Sequence, residues 1–153
     1  LEEVLNTVGS RQGCTWGTFL YCLSIQSILE KLTKEFPDLL ILAYCDDVHI
    51  FGDPKQAIAA YHRWALLYGE VLQGELRDEK GHAYSPSIPE SQLRSLGLPA
   101  TLPVVYDGVR ILGVPVGNTE FCEAFAMDRL NELADDFKTL ERMPHLQSQF
   151  AIA

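Results

Sequence analysis

Two adjacent carboxylates, Asp46 and Asp47, lie between two apolar, β-favouring runs, Leu39 to Tyr44 and Val48 to Phe51, the second of which ends at Gly52 and Asp53. Strand, short polar turn and strand predict a hairpin with both acids at its tip. Carboxylates held that close raise each other's pKa unless positive charge lies nearby. A divalent cation supplies that charge. Hard ions such as Mg²⁺ take oxygen ligands and bind through one or two carboxylates plus substrate phosphates, which suits phosphoryl chemistry. Short acids also make good turns by local hydrogen bonding, with no chemistry involved. The dipeptide alone does not separate these readings, so its context must.

That context is specific. Tyr44-x-Asp46-Asp47 between apolar strands resembles the metal-binding hairpin of reverse transcriptases. Upstream, Gln12-Gly13-Cys14-Thr15-Trp16-Gly17-Thr18-Phe19-Leu20 resembles the Gln-Gly-x-x-x-Gly segment of that family, where a loop passes into a helix beside the template and the incoming nucleotide. The usual Asp-Pro after Gln-Gly is here Cys14-Thr15. Downstream, Gly108-Val109-Arg110-Ile111-Leu112-Gly113-Val114-Pro115-Val116-Gly117 resembles the hairpin that grips the primer in non-LTR retrotransposon enzymes. Three matches in the family's order are far more specific than any one of them.

The resemblance implies an RNA-directed DNA polymerase: a deoxynucleotide is added to a primer 3′-OH on an RNA or DNA template by a two-metal mechanism. It implies Mg²⁺, with Mn²⁺ as a substitute, held by Asp46 and Asp47 as catalytic residues. Tyr44 would support the hairpin at the template, and Gln12, Gly13 and Gly17 would shape the nucleotide pocket. Leu112, Gly113 and Val114 would contact the primer. The family also has a lysine proposed as general acid toward pyrophosphate, for which Lys80 is the nearest candidate; a solvated loop lysine is the plainer reading. Residues 1–117 would be a partial palm, and residues 118–153 a helix leading into the thumb.

One part of that pattern is missing. The family carries another metal-binding aspartate on a strand before the Gln-Gly segment, whereas only eleven residues precede Gln12, with acids at Glu2 and Glu3. A start at Leu1 rather than Met points the same way. The expectation is a truncated piece or relic of a retroelement enzyme that does not polymerise by itself.

Composition bears on the partners. The 153 residues carry 21 acids against 12 bases, a formal charge of -9, which is the wrong sign for a nucleic-acid surface. The resemblance places the basic fingers upstream of this segment, which fits that sign, and weak nucleic-acid binding is expected. Hydrophobic content of 47% is ample for a core, so the chain is not a disordered tail. Cys14, Cys22, Cys45 and Cys122 show neither zinc-ligand nor disulfide-framework spacing. Without a signal-like N-terminus or a membrane-length apolar run, the expected setting is intracellular, nuclear or cytoplasmic.

The supporting elements follow from periodicity. Apolar residues nearly all round the segment Thr15 to Thr33 predict a buried helix, and its first N–H groups favour an anion such as a nucleotide phosphate. Asp53-Pro54-Lys55-Gln56 predicts a helix start, with Ala57, Ala60, Tyr61, Trp64, Tyr68, Val71 and Leu72 as its core stripe up to Gly74. Residues 75–100 are punctuated by Gly and Pro, with a short strand near His82 to Ser85; His62, His82 and His145 receive no role. Val104 to Leu112 predicts a hairpin turning at Asp107-Gly108. Asn118 or Thr119 then caps a last helix, with Cys122, Phe125, Ala126, Leu130, Leu133, Phe137 and Leu140 on one face, an acidic outer face and a break at Met143-Pro144. This order predicts an α+β domain whose antiparallel sheet is covered on one face by helices.

Two other classes fit parts of the pattern. A nucleotidyl cyclase-like palm would also use metal-bound acids, but would not be expected to carry the Gln-Gly and Leu-Gly-x-Pro-x-Gly segments. A palm kept as a non-enzymatic interaction scaffold would bind a protein partner without metal.

Overall fold

The computed structural model describes residues 14–142. In order they form helix α1 (Gly17–Glu35), strands β1 (Leu40–Tyr44) and β2 (Asp47–Phe51), helix α2 (Pro54–Leu72), a 3₁₀ turn (Asp78–Lys80), strand β3 (Ala83–Tyr84), helix α3 (Glu90–Ser95), strands β4 (Val104–Val105), β5 (Gly108–Ile111) and β6 (Val114–Gly117), and helix α4 (Thr119–Glu141). This is a mixed architecture consistent with the α+β class. The expected single antiparallel sheet is not formed among the described residues. The strands make three separate pairs: β1 with β2 and β5 with β6, both antiparallel, and β3 with β4, parallel. Two-residue strands such as β3 and β4 offer too short a ladder to extend a sheet, and the stable minimum is three strands or packing against helices.

The chain divides into two compact units, Leu1–Gly81 with Ile88–Pro103, and His82–Ser87 with Val104–Ala153. In the first, α1 and α2 cover one face of the β1–β2 hairpin. Ile25, Ile28 and Leu32 from α1 meet Ala60, Trp64 and Leu67 from α2, with Leu39 beside them, and the strand residues Ile41, Val48 and Ile50 pack against this cluster. Ile28 and Leu32 are wholly buried, so truncating either to Ala would cost about 2–5 kcal/mol.

Two expectations change here. Helix α1 is not buried all round: Trp16, just ahead of it, and Phe19, Leu20 and Leu23 within it are 53–65% exposed, because only the later turns have α2 and the hairpin against them. On α2, Ala60 and Trp64 are core as the period predicts, whereas Ile58 and Leu67 are also buried and Val71 is exposed. Its start is as read: Asp53 Oδ1 accepts from the N–H groups of Lys55 (3.0 Å) and Gln56 (3.2 Å), with Pro54 in the first turn.

Within the first unit, side-chain bonds tie Asp78 and the segment 88–102 to α2. Asp78 accepts from the Tyr61 and Thr101 hydroxyls, and His62 Nε2 lies 2.7 Å from the Gly97 carbonyl oxygen. The Arg94 guanidinium joins Glu90 to the carbonyls of Pro99 and Leu102.

In the second unit the hairpin turns elsewhere than at Asp107-Gly108. Val104–Val105 pairs with β3, and the antiparallel pair is β5–β6, whose Ile111↔Val114 rung leaves Leu112-Gly113 as a two-residue loop. Leu112 (φ 49°) and Gly113 (φ 85°) both take positive φ, as a type I′ turn requires. Asp107 instead anchors the next helix, its carbonyl accepting from the Asn118 N–H at 2.7 Å. Gly108 is needed for packing, since a Cβ there would run into the Phe121 ring. Asn118 caps α4 by accepting from the Phe121 N–H at 2.8 Å. The apolar face expected on α4 contributes no buried residue: Cys122, Phe125 and Leu140 are half-buried, and Ala126, Leu130, Leu133 and Phe137 are exposed. The predicted break at Met143-Pro144 lies outside the described residues.

Candidate metal and nucleotide site

The β1–β2 hairpin puts its acids at an exposed tip. Pairing runs from Leu40↔Phe51 to Tyr44↔Asp47, so Cys45 and Asp46 alone form the loop. Loops of two residues fit the strand twist when φ is positive at the first central position, and Cys45 takes φ 52°. For a side chain other than Gly that conformation costs on the order of 1 kcal/mol. Asp46 leaves from the loop and Asp47 from the first residue of β2, both exposed.

The two faces of the hairpin differ. Ile41, Val48 and Ile50 point at the helices, while Leu40 (57%), Leu42 (47%) and Tyr44 (65%) are exposed on the other face with the paired Asp47, His49 and Phe51. The expectation that both flanks are buried therefore holds for one face, which helices α1 and α2 cover; on the other, Leu40, Leu42, Tyr44 and Asp47 are exposed and His49 is half-buried. Tyr44 stands on the open face opposite Asp47. The Nε2 of His49 is buried and has no hydrogen-bond partner among the described residues, a feature that strand patterning does not reveal.

Helix α1 passes beside the tip. Burial pushes the Cys45 thiol up in pKa, and the Cys22 thiol of α1 adds to that. The Tyr21 phenol is pushed up by burial first, then by its bond to Tyr68, with a smaller contribution from the Asp46 charge. Gly17, one turn before Tyr21, is the first residue of α1, and its N–H donates to the Cys14 carbonyl at 3.0 Å. Among the described residues no side chain caps this end of the helix. Gln12 and Gly13 lie outside the described residues.

The remaining candidates are placed as follows. Lys80 is exposed at the end of the 3₁₀ turn, in the same compact unit as Asp46 and Asp47. Leu112 and Gly113 are the loop of the β5–β6 hairpin in the second unit, and Val114 opens β6; Leu112 and Val114 are 52% and 60% exposed. An open depression of about 580 Å³ at the end of α2, bordered by Leu66, Gly69, Glu70, Gly74, Leu76 and Asp78, contains none of the motif residues.

The donor set can be tested against Mg²⁺. Among the described residues no group of three or more His, Cys, Asp or Glu side chains is arranged to hold a metal. Asp46 and Asp47 are two exposed carboxylates of the hard-oxygen kind Mg²⁺ prefers, and such ions commonly use one or two carboxylates with water and substrate phosphate for the rest. The residues present fit a shared, substrate-completed site and not an all-protein cage. No helix among the described residues is long and apolar enough to cross a membrane. Comparison with protein-family models, with curated proteins and with solved structures returned no match.

Proposed function

We propose that this chain is part of the palm of a retroelement reverse transcriptase, with Asp46 and Asp47 as its half of a two-metal nucleotidyl-transfer site. The observation that carries the reading is the Tyr44-x-Asp46-Asp47 sequence at the exposed tip of a two-residue-loop hairpin whose opposite face is packed on two helices. Bound Mg²⁺ would supply Lewis-acid activation of the primer hydroxyl and charge neutralisation on pyrophosphate. Asp46 and Asp47 would hold that charge at the tip, and Tyr44 offers an exposed ring beside Asp47. The uncapped start of α1, where Gly17 allows close approach, suits an anionic phosphate. By itself the chain is not expected to polymerise, because the reaction needs more carboxylates than these two.

The test is Mn²⁺ binding followed by water relaxation, with and without a deoxynucleoside triphosphate. Enhancement of Mn²⁺ binding by the triphosphate, lost in Asp46→Asn, is the expected result. Equal binding in protein and variant removes the reading. The scaffold alternative draws on the exposed apolar side chains of α1 and α4, and predicts a protein partner captured equally with and without Mg²⁺.

A further inference from the structure

The last helix carries an apolar seam that nothing described covers. Ala126, Leu130, Leu133 and Phe137 recur at spacings of four, three and four residues, the pattern of a helix that pairs with another helix. Leu130, Leu133 and Phe137 are 57%, 50% and 59% exposed, and Met127 beside them is 56% exposed.

We infer that α4 pairs antiparallel with α4 of a second copy of this chain. The register is set by size and by charge. Antiparallel overlap centred between Leu130 and Leu133 puts Leu130 against the other copy's Leu133, and the small Ala126 against the large Phe137, so each wide layer meets a narrow one. The same overlap puts Arg129 beside the other copy's Asp136, and the twofold symmetry repeats that pair. Arg129 is 48% exposed, with its guanidinium over the Phe125 ring and paired with Glu132 of its own helix, so pairing with the other copy's Asp136 requires it to exchange or share that partner. Beyond the overlap Glu123 and Glu141 approach with like charge, which limits the contact to the stretch between Ala126 and Phe137.

A parallel pair fits worse. It would stack Phe137 on Phe137 and Ala126 on Ala126, alternating crowding with a void, and would set Asp136 against the other copy's Glu141, both negative. This pairing is independent of the proposed polymerase role, since it involves only α4.

Sedimentation equilibrium of the 153-residue chain over a micromolar to submillimolar range tests it. A reversible dimer is expected, lost in Leu133→Asp while far-UV circular dichroism is unchanged. Arg129→Asp and Asp136→Arg should each raise the dissociation constant by about tenfold or more, and the double reversal should restore it. A monomer at every loading overturns the inference, including one that instead captures a basic amphipathic helix. A dimer indifferent to Leu133→Asp, or a double reversal that fails to restore pairing, overturns it as well.

Discussion

Tyr44 pairs with Asp47 across the final rung of the β1–β2 hairpin, which leaves Cys45 and Asp46 as the whole loop. The two acids are therefore adjacent in sequence but differ in setting, one on a strand rung and one in a turn. A cation held at the tip, as proposed, would draw on these two exposed carboxylates. Weak Mn²⁺ or Mg²⁺ binding is expected, abolished by Asp46→Asn. Calorimetric titration showing the same affinity in the variant would count against any metal role for the tip.

Charge leads to a second prediction. The chain carries -9 overall, and α4 alone presents Glu120, Glu123, Asp128, Glu132, Asp135 and Asp136. Long-range repulsion of a phosphate backbone should keep primer-template binding weak, with what remains being reduced further by salt. Fluorescence anisotropy giving submicromolar affinity at physiological ionic strength would show that a local basic contact outweighs the net field.

The β5–β6 hairpin should be intolerant of a single methyl group. A Cβ on Gly117 would collide with the Asp107 carbonyl oxygen and the Gly108 backbone, whereas one on Gly108 would strike the Phe121 ring. Backbone yields less readily than a side chain. Gly117→Ala should therefore cost more than Gly108→Ala, both within about 1–3 kcal/mol. Hydrogen exchange of the β5 and β6 amides in the two variants reads the order directly, and equal protection would refute it.

How much of this was legible in the sequence depends on how local each signal is. The Asp53 cap with Pro54, the Asn118 cap and the Asp46-Asp47 hairpin were legible because they act over a few residues. The turn does not fall at Asp107-Gly108: Asp-Gly is a strong hairpin signal, but Gly108 is required by Phe121, thirteen residues on, and the loop falls at Leu112-Gly113. Exposure of Phe19, Leu20 and Leu23 was also missed, because a helical wheel records apolar residues and not whether a partner is present. The bonds from Tyr61 and Thr101 to Asp78 join residues 17 and 23 positions away and carry no pattern.

Those bonds have a pH signature. The hydroxyls of Thr101 and Tyr61 hold the Asp78 carboxyl below its usual range, against the opposing effect of burial. A depressed folded value means that the stabilisation is full above the ordinary aspartate pKa of about 3.9 and is lost as pH falls through the lowered folded value. Asp78→Ala should cost about 1–2 kcal/mol near neutrality. Its disadvantage relative to the parent protein should shrink on acidification below pH of about 4. Urea unfolding of both chains across that range checks the sign; a gap that widens in acid would be incompatible with it.

Activity is the strictest test, and it follows from counting ligands. A two-metal site needs several carboxylates to fix both ions against substrate phosphates, and Asp46 and Asp47 supply two. Transition-state stabilisation depends on charge already in position, so half a site should not align the attacking hydroxyl with the leaving group. Residues 1–153 alone should give no template-dependent incorporation. A chain extended by an upstream segment that contributes an aspartate-bearing strand should gain it, and Asp46→Ala should remove it again. Primer extension by the 153-residue protein would overturn the first expectation. An extended chain that binds Mn²⁺ normally yet stays inactive would overturn the second, leaving the acidic tip a turn and not half of a catalytic site.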